Sequence, residues 1–382
     1  MLEQLQIEQF QVAVPDDVLA DLRRRLAQTR WPDQVPGAGW DYGANLEYLQ
    51  ALCRYWETEY DWRATEEALN AWPQFVTTID EQRIHFLHAR SPEPNARPLI
   101  LTHGWPSSVV EFLNVLGPLT DPVAHGGRAA DAFHIVVPSL PGYGWSGPTT
   151  TSGWHTGRIA AAFLDLMHQL GYSRFAAHGG DWGSVICGEM GRQSPDRVLG
   201  LHLTFLVTAG LQPADGAPTD EELTLMAAQE RYNATEQGYV ALQATKPQSL
   251  AFGLNDSPAG LAAWIVEKLQ TWTDHGGDLE SALNKDQILG NITTYWVTGT
   301  VGSAARLYYE EAHAGRLGPA ERVGVPTSVA VYPKELNRTS RRIAEHQYNI
   351  ERWTNMPRGG HFPAAEQPDL FVAHIRESFR AT

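Results

Sequence analysis

The sequence is poor in cysteine and in positive charge, and each shortage excludes a class of protein. Its 382 residues include two cysteines, Cys53 and Cys187. Two distant cysteines supply neither a disulfide framework nor a cysteine-rich metal site, so we expect a cytoplasmic protein. Lys and Arg number 29 against 44 Asp and Glu, which gives a net charge of −15. No nucleic-acid partner is expected, because such binding depends on basic side chains that neutralise phosphates.

Long apolar runs and internal repeats are also missing. The residues after Met1 lack the basic and apolar regions of a signal peptide, and no later segment has about 18 consecutive apolar residues. We therefore expect no membrane anchor. The absence of a fixed-period repeat argues against solenoids and propellers. What the chain does contain is 43% hydrophobic residues, with 13 Trp, 13 Tyr and 12 Phe, which is ample material for a packed core.

Three patterns follow one another along the chain. Residues 1–95 combine helical periodicity with a strand hairpin, and we interpret them as an N-terminal arm. Residues 96–205 and 323–382 alternate short apolar runs with helical segments, which predicts an α/β core with a mostly parallel central sheet. Residues 206–322 have helical patterns only and are predicted to form a lid inserted into that core. A ligand is expected beneath the lid, at the carboxyl ends of the strands.

The most informative segment is Gly180-Asp181-Trp182-Gly183, between a predicted strand and a predicted helix. Its small flanking residues permit the tight turn of a nucleophile elbow, which lifts one side chain above the sheet. A carboxylate there suits attack on a saturated carbon, because the product is an enzyme ester that a second step can hydrolyse. The alternative is that Asp181 only caps the helix that follows. Ser184 lies inside that helix and is interpreted as structural.

Two later loops hold the partners that such a nucleophile needs. In proteins with this elbow the order along the chain is nucleophile, acid, histidine. Glu335 follows one predicted strand, and His361 follows the next, directly after Gly359-Gly360. We predict that His361 removes a proton from the water that hydrolyses the ester. Glu335 would then fix the orientation and tautomer of the imidazole.

A third loop, His103-Gly104-Trp105-Pro106, ends the first long apolar strand and should face the elbow. The backbone N–H groups of Trp105 and Trp182 are predicted to form an oxyanion hole for ester hydrolysis. The alternative is a proline-stabilised turn with a packed tryptophan.

These motifs resemble those of the α/β-hydrolase-fold epoxide hydrolases, and specifically the microsomal type. Residues 61–63, 69–75 and 84–86 resemble the N-terminal epoxide hydrolase region, and 245–248 with 254–263 resemble the lid. The similarity runs from about residue 5 to 378. Microsomal relatives in animals carry an N-terminal membrane anchor, whereas this chain starts directly at the arm, so the resemblance does not imply membrane residence.

The resemblance implies the same roles for Asp181, His361 and Glu335 and adds two lid tyrosines that donate to the epoxide oxygen. These are Tyr239 and Tyr308, with the adjacent Tyr309 left open as the second. His103 and Trp105 are expected to contact the substrate beside the tyrosines. Phenols suit this task because an ordinary pKa near 10 keeps them protonated at neutral pH. Lid aromatics are expected either to shape a pocket for an aryl or bulky epoxide or to fill the core: Trp264, Trp272, Tyr295 and Trp296.

The predicted reaction is hydrolysis of an epoxide to a vicinal diol without cofactor or metal. A haloalkane dehalogenase is the main alternative, since it uses the same aspartate chemistry and often stabilises halide with tryptophans. A non-catalytic ligand-binding protein of the same fold and a metal enzyme using His85, His88, His103 or His178 are the others. The sequence separates neither a detoxifying role from one in secondary metabolism nor a monomer from a homodimer.

Overall fold

The computed structural model describes residues 7–207, 216–315 and 321–380. Its strands are β1 (Glu8–Phe10), β2 (Gln74–Ile79), β3 (Gln82–Ala89), β4 (Arg97–Thr102), β5 (Phe133–Pro138), β6 (Phe175–Gly179), β7 (Val198–Leu203), β8 (Val323–Val331) and β9 (Tyr348–Asn355). Its helices are α1 (Asp16–Ala27), α2 (Leu46–Thr58), α3 (Trp62–Asn70), α4 (Leu113–Thr120), α5 (Thr156–Gln169), α6 (Trp182–Gln193), α7 (Asp220–Thr235), α8 (Gly238–Thr245), α9 (Pro247–Asp256), α10 (Pro258–Trp272), α11 (Lys285–Thr298), α12 (Val301–His313), α13 (Arg341–Ala344), α14 (Pro363–Glu366) and α15 (Pro368–Ser378).

In the described ranges the strands form one sheet in the order β1-β2-β3-β5-β4-β6-β7-β8-β9. The pairs β1–β2, β2–β3 and β3–β5 are antiparallel, and the pairs β5–β4, β4–β6, β6–β7, β7–β8 and β8–β9 are parallel. The predicted α/β fold with a mostly parallel sheet is confirmed. The carboxyl ends of β4, β6 and β8 meet at one edge, where a ligand is expected in such sheets.

The hairpin β2–β3 joins the N-terminal segment to the sheet. Asp80 and Glu81 have φ values of 52° and 62°, so both central residues of the turn are left-handed, as a type I′ turn requires. The sequence pattern predicts a turn of Asp80-Glu81-Gln82, but Ile79 pairs directly with Gln82, which places Gln82 in β3. The short β1 and the helix α3 are elements that the sequence patterns did not predict.

Helices α7 to α12 lie between β7 and β8, in agreement with the helical pattern of that segment. Local caps define where two of them begin. Ser257 accepts from Gly260 N before α10, and Asn284 and Gln287 form a capping box at the start of α11. The predicted lid, residues 206–322, begins just after β7 ends at Leu203 and ends just before β8 begins at Val323. Residues 208–215 and 316–320 within it lie outside the described residues, and the division into arm, core and lid stays a proposal.

One hydrophobic cluster spans these parts of the chain. It includes Trp56 of α2, Ile100 of β4 and Ile265 of α10, all at most 1% exposed. The shared core therefore holds the N-terminal segment and the inserted helices against the sheet. Within the ranges the structure describes, no helix has both the length and the apolar character needed to cross a bilayer.

Candidate active site

The segment after β6 forms a tight turn that presents the side chain of Asp181. Asp181 has a φ of 49°, a left-handed conformation that non-glycine residues rarely adopt and that marks functional turns. A Cβ on Gly183 would overlap the carbonyl oxygen of Thr102, so only glycine lets α6 start this close to β4. The Ser184 hydroxyl donates to the carbonyl of Gly179 at 2.6 Å, which is a structural contact.

The structure brings His361 between Asp181 and Glu335. Nδ1 of His361 donates to Oε1 of Glu335 at 2.7 Å, and Nε2 lies 3.3 Å from Oδ2 of Asp181. All three side chains belong to loops at the carboxyl ends of β6, β8 and β9. Glu335 and His361 are buried, at 6% and 3% exposure. The residues predicted from their order along the chain, Asp181, Glu335 and His361, therefore lie next to one another in the structure.

Backbone hydrogen bonds fix the loop that carries His361. Glu366 accepts from the N–H groups of Gly360 and Phe362 at 3.0 and 2.9 Å, and the N–H of His361 donates to the carbonyl of Trp272. A Cβ on Gly360 would overlap that same carbonyl oxygen, which explains the glycine before the histidine. Burial raises the pKa of Glu366 to about 7, although its three backbone donors oppose the rise.

The loop after β4 supplies a donor to the nucleophile. The backbone N–H of Trp105 donates to Oδ1 of Asp181 at 2.8 Å. The two carboxylate oxygens thus face different groups, Oδ1 an N–H and Oδ2 the imidazole. A Cβ on Gly104 would overlap the Asp181 side chain, so glycine is needed for this approach. Trp182 is the first residue of α6, where amide groups have no acceptor within the helix.

The predicted lid tyrosines lie above this carboxylate, on α8 and α12. The Tyr239 ring stacks on Trp105 at 5.1 Å, and the Tyr308 ring meets Trp182 edge-on at 4.8 Å. The two phenol rings are 5.9 Å apart. Burial, with the charge of Asp181 adding to it, raises the pKa of both phenols, so both are protonated at neutral pH.

Packing separates Tyr308 from its neighbour Tyr309. Tyr308 is 6% exposed and points into the site, whereas Tyr309 is 38% exposed and stacks on His313 at 4.0 Å. The geometry therefore favours Tyr308 as the second phenol near Asp181. Their catalytic roles, like those of the other predicted site residues, stay predictions.

The hydrogen bonds of His103 do not match the expectation that this residue contacts the substrate. Its ring is buried, Nδ1 donates to the carbonyl of Gly104 at 3.0 Å, and Nε2 accepts from the N–H of Leu140 at 3.2 Å. Burial lowers its pKa to about 4, so the ring is neutral. With both nitrogens on backbone groups, His103 holds the Trp105 loop in place, and its proposed substrate contact gains no support.

The other histidines named for a metal site lie in the core. His85 bonds to Ser139 and Gln74, and His88 bonds to Tyr172. His178 lies 2.8 Å from His202, Nδ1 to Nδ1. No group of three or more His, Cys, Asp or Glu side chains arranged to hold a metal ion is found in the part of the chain that the structure describes.

Of the predicted lid aromatics, Trp272 reaches the site. It is 1% exposed and lies edge-on to His361 at 5.1 Å and tilted to Tyr239 at 5.3 Å. Tyr295 is buried and donates to the carbonyl of Ser107 at 2.7 Å, which is a packing role. Trp264 bonds to Gln243, and Trp296 lies under Arg25.

Sequence reasoning missed Lys268, a buried cation beside the site. Its Nζ lies 4.8 Å from the centre of the Tyr239 ring and 2.7 Å from Oε2 of Glu267. Lys268 is 5% exposed. Its position on α10 follows the apolar face of that helix, a signal that becomes visible only when burial is known.

Comparison of the sequence with known proteins shows which family this chain belongs to. A family model described as "Epoxide hydrolase N terminus" matches residues 7–112, and one described as "alpha/beta hydrolase fold" matches residues 97–255. The chain is 36% identical over 400 residues to "Epoxide hydrolase 1" of Sus scrofa, covering 97% of this chain and 88% of the relative. The chain belongs to the epoxide hydrolase family. The resemblance read from the sequence is thereby confirmed.

Other members of the epoxide hydrolase family agree with this assignment. A protein of Stigmatella aurantiaca that has been assigned as an epoxide hydrolase is 47% identical over 376 residues, covering 98% of this chain and 85% of that one. The solved structure of juvenile hormone epoxide hydrolase from Bombyx mori has a TM-score of 0.88 at 30% identity, covering 98% of this chain and 94% of that one. The similarity thus extends over nearly the whole chain.

Proposed function

We propose that this member of the epoxide hydrolase family converts an epoxide to a vicinal diol through a covalent ester on Asp181. In the first step Oδ2 of Asp181 attacks a ring carbon, a new C–O bond forms, and the C–O bond of the ring breaks. The departing alkoxide takes a proton from Tyr239 or Tyr308. Two protonated phenols above the carboxylate support this assignment, because a developing oxyanion needs donors on that side.

In the second step water hydrolyses the ester. The charges of Glu335 and Asp181 raise the pKa of His361 in the resting protein, but forming the ester removes the charge of Asp181. The pKa of His361 then falls, and Nε2 can accept a proton from water as it attacks Cγ of Asp181. The oxyanion that develops on Oδ1 is held by the N–H of Trp105, with Trp182 as the second proposed donor. The intermediate then collapses, the bond between Cγ and Oδ2 breaks, and the diol leaves with the oxygen that was Oδ2 and with a proton from His361. The proton that His361 gave up before hydrolysis restores the phenol, and the new carboxyl group of Asp181 returns its proton to the imidazole, which regenerates the resting state.

The observation that carries this proposal is the contact of one imidazole with both carboxylates, 2.7 Å to Glu335 and 3.3 Å to Asp181. A protein that only binds a ligand has no need of this set. The walls around Asp181 are aromatic: Trp105, Trp182, Tyr239, Trp272 and Tyr308. An uncharged, apolar epoxide is therefore the proposed substrate class, with the inserted helices acting as its lid.

The cellular compartment and the absence of a cofactor are two further proposals, and each rests on indirect evidence. Cys53 and Cys187 are both buried and free, which supports a reducing compartment such as the cytoplasm. The proposed chemistry is complete with Asp181, His361, Glu335 and the phenols, so we propose that no cofactor takes part.

A haloalkane dehalogenase is the second candidate, on one specific observation. The indole Nε1 atoms of Trp105 and Trp182 are buried and have no hydrogen-bond partner among the described residues. Indole N–H groups of this kind can stabilise a halide leaving group. The two phenols favour the epoxide, because a halide leaves without needing a proton.

The experiment is a substrate panel with two detectors. Styrene-type, alkyl and polycyclic epoxides are assayed for diol, and haloalkanes of matched size are assayed for halide release. We expect diol from epoxides and its loss in Asp181→Ala. Halide release without diol formation would favour the dehalogenase. Full diol formation by Asp181→Ala would contradict the role of Asp181 as nucleophile, and no product from any compound would favour a non-catalytic protein.

A further inference from the structure

One face of the inserted helix α11 is hydrogen-bonded to the loop that carries the backbone N–H of Trp105. Nδ2 of Asn291 donates to the carbonyl of Pro106 at 2.6 Å, and its Oδ1 accepts from the Ser108 hydroxyl at 2.8 Å. Four residues later, the Tyr295 hydroxyl donates to the carbonyl of the intervening serine at 2.7 Å. Residues four apart lie on the same helix face. Residues 106–108 are therefore each bonded to this face of α11.

The other end of the same loop is held by His103. Its Nδ1 donates to the carbonyl of Gly104, which belongs to the same trans peptide unit as the N–H of Trp105. In a planar trans peptide the C=O and the N–H point in opposite directions. The N–H of Trp105 therefore points away from His103, and it donates to Oδ1 of Asp181 at 2.8 Å.

The orientation of this N–H depends on the bonds that fix the loop on the α11 side. The proline ring restricts φ of Pro106, so few rotatable bonds separate the carbonyl that Asn291 holds from the N–H of Trp105. Trp105, Ser107 and Ser108 are buried, with at most 6% exposure. A carbonyl that loses its donor in such a place is left unsatisfied, at a cost of about 1–3 kcal/mol, and the loop is expected to turn to relieve it.

Helix α11 is itself supported by the N-terminal segment. The Tyr55 hydroxyl of α2 donates to Oδ1 of Asp286 at 2.8 Å. A Cβ on Gly290 would lie 3.4 Å from the side chain of Thr65, so α11 packs directly against α3 at that point. The helix thus links the N-terminal helices to the loop beside the nucleophile.

We propose that Asn291, assisted by Tyr295, positions the N–H of Trp105 to stabilise the oxyanion of ester hydrolysis. The inference rests on the proposed function and adds to it a positioning residue that the inserted helices supply. A donor that is already oriented needs no reorganisation when the charge develops, which is the source of its effect on the rate.

The two steps of the proposed reaction should depend on this N–H to different extents. In epoxide opening Oδ2 of Asp181 attacks and the carboxylate loses its charge, so no new charge develops on Oδ1. In ester hydrolysis the attack of water on Cγ places a negative charge on Oδ1, directly opposite the N–H of Trp105. Loss of Asn291 should therefore slow the second step and leave the first unchanged.

Single-turnover reactions measure the two steps separately. Rapid acid quenching and mass spectrometry give the amount of ester on Asp181 with time, and diol release is followed in parallel. Asn291→Leu keeps the approximate size of the side chain and adds no charge. We expect an unchanged rate of ester formation and hydrolysis that is slower by about 10- to 100-fold, so that ester accumulates. Tyr295→Phe, which removes one hydroxyl, should show the same pattern with a smaller loss.

Thr294 provides a matched control on the same helix. It is 1% exposed, and its hydroxyl donates at 2.8 Å to the carbonyl of Gly290 within α11. Thr294→Val removes a buried hydroxyl of this helix without removing a bond to the loop, and it should keep both wild-type rates. Urea unfolding measures the stability of each variant, so that a loss of activity can be compared with a loss of folding free energy.

An infrared measurement reports on the hydrogen bond itself. His361→Gln is used to trap the ester, whose carbonyl oxygen is Oδ1 of Asp181, and ¹³C-labelled aspartate identifies its stretching band. Adding Asn291→Leu to this variant should shift the band to higher frequency, because a carbonyl that loses a hydrogen bond has a stiffer C=O bond. Adding Thr294→Val should leave the band in place.

The outcomes distinguish this inference from the proposed function. If wild-type protein forms diol and Asn291→Leu keeps the hydrolysis rate, slows both steps equally or leaves the band unshifted, the positioning role is wrong while the function stands. The same losses in Thr294→Val would indicate packing of α11 and would also contradict the role. If Asn291→Leu does not fold, Tyr295→Phe decides by the same criteria. If wild-type protein forms neither ester nor diol, the proposed function itself fails.

Discussion

Nε2 of His361 lies 3.3 Å from Oδ2 of Asp181, so the proposed base of the second step lies beside the nucleophile of the first. Burial lowers the pKa of the imidazole, but the charge of Glu335 and the contacts with both carboxylates outweigh burial and raise it to about 10. In the resting protein His361 is therefore a cation at neutral pH. It becomes a base only when the ester has removed the charge of Asp181.

The two steps should consequently differ in their pH dependence. We expect the rate of ester hydrolysis to rise with pH through a pKa below about 10, because His361 must lose its proton first. Ester formation should lack this rise. Stopped-flow and acid-quench measurements from pH 5 to 9 give both rates. His361→Gln, as the control, should form the ester and keep it; a variant that still released diol at the wild-type rate would rule out the imidazole as base.

Tyr308 and Tyr309 should respond oppositely to removal of the hydroxyl. We expect Tyr308→Phe, like Tyr239→Phe, to slow epoxide opening by about 100-fold, since a general acid contributes roughly that much. Tyr309→Phe should open the epoxide at the wild-type rate, because its ring lies against His313 at the surface. Single-turnover ester formation measures this directly. A loss in Tyr309→Phe with none in Tyr308→Phe would reverse the assignment.

Lys268 should assist proton donation by Tyr239. A cation 4.8 Å from the ring centre favours the negative charge that develops on the phenol as it gives up its proton. Lys268→Met should slow epoxide opening several-fold, and Lys268→Arg should restore most of the rate. Lys285→Met is the matched control and should keep the wild-type rate, because Nζ of Lys285 lies 5.2 Å from the centre of the Tyr55 ring, outside the site. Equal losses in Lys268→Met and Lys268→Arg would indicate packing and not charge.

Stability should fall in mild acid because several histidines are buried as neutral rings. Burial lowers the pKa of His85 and His178 to about 3, whereas an unfolded histidine titrates near 6.5. Below about pH 6.5 the unfolded chain binds protons that the folded chain does not, so the free energy of unfolding decreases toward pH 3. Urea unfolding at pH 7, 6, 5 and 4 measures the slope.

Single substitutions test whether the buried imidazole rings cause this decrease of the free energy of unfolding with falling pH. His85→Gln should reduce it, and His125→Asn, at an exposed position, should leave it unchanged. A free energy of unfolding that stays constant from pH 7 to 4 would show that the buried histidines do not control acid stability.

Much of the fold and of the candidate site could be predicted from local sequence. The elbow around Asp181 and the glycine before His361 are local requirements of backbone geometry, so they are legible in the motif itself. The order Asp181, Glu335, His361 follows the strand order, because each side chain lies in a loop at the same sheet edge. The capping residue Asn284 and the turn at Asp80 are local signals too.

What could not be predicted depends on contacts between distant segments. Tyr308 and Tyr309 are adjacent on one helix, and only the packing of α12 decides which ring faces Asp181. Lys268 is a charged residue that a single sequence would assign to the surface. His103 had the right position for a substrate contact, but its ring nitrogens bond to the backbone.

The covalent ester on Asp181 is the central claim, and one measurement tests it most directly. Protein in molar excess over an epoxide is mixed in ¹⁸O-water, and the diol of this single turnover is analysed by mass spectrometry. Diol that carries only ordinary oxygen, with one ¹⁸O incorporated into Asp181, is the predicted result. Diol that carries ¹⁸O from the first turnover would mean that water opens the epoxide directly, and the ester mechanism would be wrong.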